Sequence, residues 1–243
     1  MHRFSFLCTL ATLLLSGSLT MAQSADPTAS LRLNNLSSPG GSPLIFRIDN
    51  RYEGQHGTPY LLDTWTTGQI ALTDGRQYKE VPLKFDAYRQ EVLMLRPKQN
   101  NDSIIIDKNT VNRFLIAGPD GQSYLFGRYP SVQTTDNLLK NGYFLILYTG
   151  KNALLKRIAK TFKPADFKGG YSANVRYDAY SDANSYYLLK PDQTLTKLKL
   201  SKKALLEAMN DRADMLGPYA DKEKLDLKTE DGAIALVKQY DTL

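Results

Sequence analysis

Histidine and cysteine are almost missing: two His and one Cys in 243 residues, with a single Trp. His2 and Cys8 both fall in a leading segment, 1–22, with the pattern of an export signal. His2 and Arg3 make a short positive start, Phe4 to Leu15 is apolar, and the small residues Thr20 and Ala22 stand three and one before an expected cut ahead of Gln23. A chain matured there keeps His56 and no thiol. Disulfides, cysteine nucleophiles, zinc ribbons and two-histidine metal sites are then excluded by count, so the reading expects no cofactor and no metal. Cys8 lies inside the apolar stretch, not at the cleavage point, which argues against a lipid anchor.

Long apolar runs are also lacking. Beyond the signal the longest is Tyr143 to Tyr148, far short of the roughly 20 residues that span a bilayer, so no transmembrane segment is expected. There is no Gly-x-Gly-x-x-Gly, Walker or EF-hand loop, and no Ser in a Gly-x-Ser-x-Gly turn that could partner His56. His56 sits in Glu53-Gly54-Gln55-His56-Gly57 and reads as a solvated loop residue. Asp63, Asp86, Glu91 and Asp107 could serve a hydrolase only if the fold set two of them face to face, because separation in space decides such chemistry.

What remains is an ordinary globular composition, 42% hydrophobic, with 31 Lys and Arg against 25 Asp and Glu. Segment 23–42 is rich in Ser, Pro and Gly and reads as a flexible linker. From 43 to 138 the pattern is β. Leu44-Ile45-Phe46 opens it, Gly68 to Thr73 runs into an Asp74-Gly75 hairpin turn, and Val81, Leu83 and Phe85 share one face. Pro82 cannot donate to a ladder, so its strand should be at an edge or bulged. Glu91 to Leu95, Ser103 to Ile106, Arg113 to Ile116 and Gln122 to Phe126 continue the rhythm. Near 131–141 lies either a boundary between two domains or a joint within one, and 139–243 reads as hairpins followed by helices. Gly142 to Tyr148 is a strand, Ala153 to Lys160 is either strand or short helix, and Tyr186 to Leu189 pairs with Leu195 to Leu200 across Pro191-Asp192-Gln193. Ser201 and Thr229 cap C-terminal helices, with Gly217-Pro218 expected to interrupt the stretch between them. The fold class expected is α+β, mainly β: an antiparallel meander or partly closed barrel with short C-terminal helices packed on it.

Asp49 to Gly54, Gly57-Thr58-Pro59-Tyr60-Leu61, Val81-Pro82-Leu83-Lys84-Phe85-Asp86-Ala87-Tyr88, Thr161 to Asp166 and Leu200 to Leu206 resemble a group of uncharacterised exported proteins of Bacteroidetes-type bacteria. The resemblance implies an envelope or secreted location and carries no activity and no catalytic residues. Gly217-Pro218 departs from the more continuous helix of that group.

The charge is localised. Residues 151–200 hold ten Lys and Arg against four Asp, a net of +6 that equals the excess of the whole chain. Lys156, Arg157, Lys160, Lys163, Lys168 and Arg176, interleaved with Tyr171 and Tyr177, form a candidate surface for an anionic envelope component or protein partner. Export argues against nucleic acid. Tyr60 and Trp65 form either a recognition surface or a plug for one end of the β layer. The function expected is a non-enzymatic exported interaction protein, periplasmic or extracellular. The alternatives are a carboxylate-dependent hydrolase in a β cleft and a small β-barrel carrier of an apolar ligand.

Overall fold

The computed structural model describes residues 54–96, 102–119, 121–166 and 176–243. The expected signal, linker and Leu44-Ile45-Phe46 strand lie outside these residues, as do Lys168 and Tyr171. The first half of the chain supplies β1 (Gln55–His56), β2 (Thr66–Leu72), β3 (Gln77–Asp86), β4 (Glu91–Arg96), β5 (Asp102–Ile105), a 3-10 turn at Lys108–Thr110, β6 (Val111–Ala117) and β7 (Ser123–Gly127). Helix α1 (Asn137–Lys140) then leads to β8 (Phe144–Thr149), β9 (Ala153–Arg157), β10 (Lys160–Lys163), β11 (Asp178–Asp182), β12 (Ser185–Leu189) and β13 (Leu195–Leu198). Three helices close the chain: α2 (Lys202–Ala208), α3 (Ala213–Lys222) and α4 (Glu230–Thr242). Among the described residues no helix is long and apolar enough to cross a membrane.

Ten strands form one antiparallel sheet in the order β13-β12-β9-β8-β7-β6-β2-β3-β4-β5. Its end strands do not pair with each other, so it is the open meander and not a closed barrel. Strands β7 and β8, on either side of 131–141, pair directly through Phe126 with Leu145 and Gly127 with Phe144. A second sheet, β1-β11-β10, stands beside the first.

The large sheet bends sharply. Strands β3 and β7 are separated by β2 and β6, which in a flat sheet would put them about 14 Å apart at ~4.8 Å per step. Yet the rings of Phe85 on β3 and Phe126 on β7 have centroids 5.0 Å apart, and Phe114 on β6 stacks on Phe126 at 4.7 Å. Tyr143 packs edge-on against Phe85 and Phe114. Only a curled sheet brings these side chains into one cluster, together with Ile70, Leu83, Val92, Ile116 and Leu145. The curl needs Gly68: a Cβ there would lie 2.5 Å from the Leu115 carbonyl oxygen and 2.6 Å from Leu83 Cδ1. Just beyond Gly68 the β2–β3 register shifts, and Glu80 takes a positive φ of 54°. Pro82 therefore lies beside a bulge and one residue outside the β3–β4 pairing, so β3 carries a proline without being an edge strand.

The C-terminal helices cover one face of β8, β9, β12 and β13. Leu154, Leu188 and Leu198 from the sheet meet Leu205, Met209, Leu216, Leu236 and Val237. The other face of the same strands packs Phe144, Leu155, Tyr187 and Leu189 with Val132. This two-sided burial explains why Ala153 to Arg157 is a strand: alternate side chains enter different cores. Carboxylates fasten the helices to the sheet. Glu230 accepts from Lys156 Nζ at 2.7 Å and from the Tyr186 hydroxyl at 2.8 Å, and Asp241 accepts from the Tyr148 hydroxyl and from Asn152 Nδ2. Ser201 and Thr229 cap α2 and α4 through bonds from the Ala204 and Gly232 amides.

Gly217-Pro218 does not interrupt the helices; both residues lie inside α3. Proline in a helix interior costs about 3 kcal/mol, here by removing the amide that would bond the Asp214 carbonyl. Burial of Leu216 and Ala220 on either side offsets that loss. The break falls instead at the 3-10 turn Asn210–Arg212.

If the helices and sheet share this core, Leu236→Ala should lower the unfolding free energy by about 2–5 kcal/mol in urea titration. A loss of under about 0.5 kcal/mol would show that α4 contributes little to it.

Candidate functional site

The candidate site is a cleft of about 470 Å³ built by five chain segments, the shortest of them Ala183 between β11 and β12. Its base starts with the turn from β3 to β4. Asp86 is buried, and its Oδ1 accepts from the Tyr88 and Arg89 amides at 2.9 and 2.7 Å. Beyond Leu83 the chain at 59–61 takes over the β3 edge that β2 no longer covers: Leu61 N donates to Phe85 O, and Ala87 N to Pro59 O. The turn closes at Gln90, with φ of 59°. Its side-chain amide donates to Ala87 O at 2.7 Å and to Ile158 O at 2.9 Å. That second bond ties the turn to the crossover from β9 to β10, where buried Ile158 and Ala159 separate Arg157 from Lys160.

A third segment brings Lys108 on its 3-10 turn, capped by Asp107 Oδ1 accepting from the Asn109 amide. The fourth is α1 with Asn141 and Gly142. Gly142 has to be glycine, because a Cβ would come within 2.5 Å of the Leu138 carbonyl oxygen. The same position is 3.7 Å from both Arg157 Nε and Gln90 Oε1, so these two polar atoms flank the cleft floor.

Arg89, Lys108, Arg157 and Lys160 line the cleft, and among the described residues no carboxylate lines it. Lys160 pairs with Asp182 at 2.7 Å outside it. A neighbouring recess shares Lys108 and Asn141 and carries Glu91 and Asp107. Burial pushes the Lys108 ammonium below its ordinary pKa; Glu91 opposes this, while Arg128 and Arg157 reinforce it. Arg128 Nη1 donates to the Lys108 carbonyl.

The floor is electrostatically unfinished. Among the described residues, five buried side-chain atoms have no hydrogen-bond partner. Four of them belong to this neighbourhood: Gln90 Oε1, Arg157 Nε, Arg128 Nε and the Tyr143 hydroxyl. Each such group costs about 1–3 kcal/mol. Burial raises the Tyr143 phenol far above its usual pKa, with Arg128 acting in the opposite sense.

The residues singled out in the sequence are dispersed. Lys156 projects to the helix face, where it pairs with Glu230 and lies over the Tyr186 ring at 5.6 Å. Burial works to lower its pKa, but Glu230 leaves it raised. Arg157 and Lys160 line the cleft, Lys163 is exposed on β10, and Tyr177 stacks on His56 at 3.6 Å. Arg176 lies just before β11. Between Tyr60 and Trp65, Leu61 and Leu62 pack on the core. The two rings hold Lys84 Nζ, at 4.5 and 5.3 Å, on the outer face of β3, where it also donates to the Asp63 carbonyl. Sequence reading missed Arg89, Gln90 and Lys108. The turn Asp86-Ala87-Tyr88-Arg89-Gln90 following an alternating strand was the available signal.

No protein-family model matches this chain, and no similarity to a curated protein or to a solved structure reaches significance.

Substitutions at Gln90 on the floor and at Tyr143 in the core beneath it should move stability in opposite directions. Gln90→Leu removes both tethering bonds and should cost about 2–3 kcal/mol, whereas Tyr143→Phe deletes an unpaired hydroxyl and should be neutral or gain about 1 kcal/mol. Chemical denaturation of the two variants checks this, and a loss for Tyr143→Phe would mean that its hydroxyl is satisfied.

Proposed function

We propose that the chain is an exported, non-enzymatic interaction protein of the cell envelope or the exterior, and that its cleft receives an anionic envelope component. The observation that carries this reading is the convergence of Arg89, Lys108, Arg157 and Lys160 on one cleft, lined by no acid among the described residues. Like charges gathered in a partly buried recess repel one another and lose hydration, and an anion relieves both costs. Arginine suits phosphate and carboxylate oxygens because its planar fork can donate two parallel bonds. The export pattern of 1–22 supports the location, and the resemblance to exported proteins points the same way.

Part of the basic window in 151–200 is already neutralised. Lys156 and Lys160 each have a carboxylate partner within the fold. The reading therefore rests on the cleft and not on the whole basic stretch.

The test is retention of the purified protein on lipopolysaccharide and on phosphatidylglycerol vesicles. The parent should be retained at low salt and lose affinity at physiological salt, where exposed charges are screened over about 8 Å. Arg157→Gln with Lys108→Gln should abolish retention, and the exported protein should begin at Gln23. Retention equal in parent and variant, or none by the parent, would leave the charge with a solubilising role only.

A further inference from the structure

We propose that the group bound in the cleft is an acidic saccharide: a sugar ring carrying a phosphate or carboxylate. This rests on the cleft being an anion site, and two further observations extend it. The first is aromatic. Tyr88 lines the cleft and is 45% exposed. It belongs to a three-ring cluster with Phe162 and Tyr180, with centroids 6.4 Å and 5.4 Å from Tyr88. Phe162 and Tyr180 are cross-strand partners on β10 and β11. Cross-strand pairing and mutual packing give this cluster a fixed geometry, and it leaves Tyr88 available at the rim. A pyranose ring has an apolar face of C–H groups that lies on such a ring, while its edges stay polar. A free inorganic anion uses no aromatic surface.

The second observation is the chemistry of the floor. Gln90 is only 5% exposed, yet among the described residues nothing bonds its Oε1, and nothing bonds Arg157 Nε beside the same Gly142 position. One of these atoms accepts and the other donates. A fully ionised phosphate or carboxylate can satisfy Arg157 but has no hydrogen for Gln90. A hydroxyl satisfies both, since it accepts from the guanidinium and donates to the amide oxygen. Because both atoms are buried, a ligand hydroxyl reaches them by a small side-chain adjustment or through one bridging water. Cations for the charge, a complementary pair for a hydroxyl and a ring at the rim are the three features of an acidic sugar. The cleft's volume also falls within the range of about 300–1,000 Å³ usual for small-ligand sites.

The experiment is calorimetric or NMR titration of the full mature chain with four probes: glucose 6-phosphate, glucuronate, inorganic phosphate and glucose. At least one acidic sugar should bind about tenfold more tightly than both inorganic phosphate and glucose, equivalent to ~1.4 kcal/mol, and which one does so identifies the anionic group. Tyr88→Ala, and Tyr88→Leu as the bulk-retaining variant, should remove that advantage while leaving phosphate binding intact. Arg157→Gln should weaken every anionic probe. If phosphate binds as well as both acidic sugars and the Tyr88 variants change nothing, the saccharide inference falls while the anion site stands. If no anionic probe binds, both fall.

Discussion

How tightly the large sheet curls governs the rest of the molecule. Phe85, Phe114, Phe126 and Tyr143 come together only because β3 approaches β7 across two intervening strands. Gly68 permits the approach, since any side chain there would strike the neighbouring strand's carbonyl and Leu83. With the sheet bent, the β3–β4 turn reaches the crossover between β9 and β10, far away in the sequence. Gln90 then bonds across a separation of 68 residues. That contact joins the arginine of one segment to the cations of another.

The second half of the sheet is organised differently. Strands β8, β9 and β12 are buried on both faces, by helices on one and by Val132 and its neighbours on the other. Helix α4 is held through Glu230 near its start and Asp241 near its end. Tyr240 gives a third attachment, to the 3-10 turn Asn210–Arg212: burial and the Asp211 carboxylate push its phenol up to about 12. The face bearing Lys156 is therefore taken up by folding. Arg157, the next residue and therefore on the opposite face of β9, lines the cleft.

This division explains what could be read from the chain alone. Val81, Leu83 and Phe85 on β3 alternate with Pro82 and Lys84 because Leu83 and Phe85 enter the core, and Asp74-Gly75 marks its hairpin with Gly75 at a φ of 88°. Ala153 to Lys160 stayed ambiguous because its strand, Ala153–Arg157, is buried on both faces and alternation is lost. Gly217-Pro218 misled because local propensity was overridden by the burial of Leu216 and Ala220. The cleft was half legible. A count of charge along 151–200 captures Arg157 and Lys160, but Arg89 and Lys108 arrive from other segments, and no linear window unites them. Tyr88 lay in a segment chosen for its resemblance to exported proteins, without its position beside the cations being deducible.

The central claim is that these cations form one site for an anion. A ligand that binds only the folded chain stabilises it by about 2.7 kcal/mol at a concentration 100 times its Kd. The most direct measurement is the thermal midpoint in sodium phosphate against sodium chloride at equal ionic strength, for the parent and for the Lys108→Gln, Arg157→Gln double variant. The account predicts a midpoint that rises with phosphate concentration in the parent and stays flat in the variant. The same response in both proteins would contradict it.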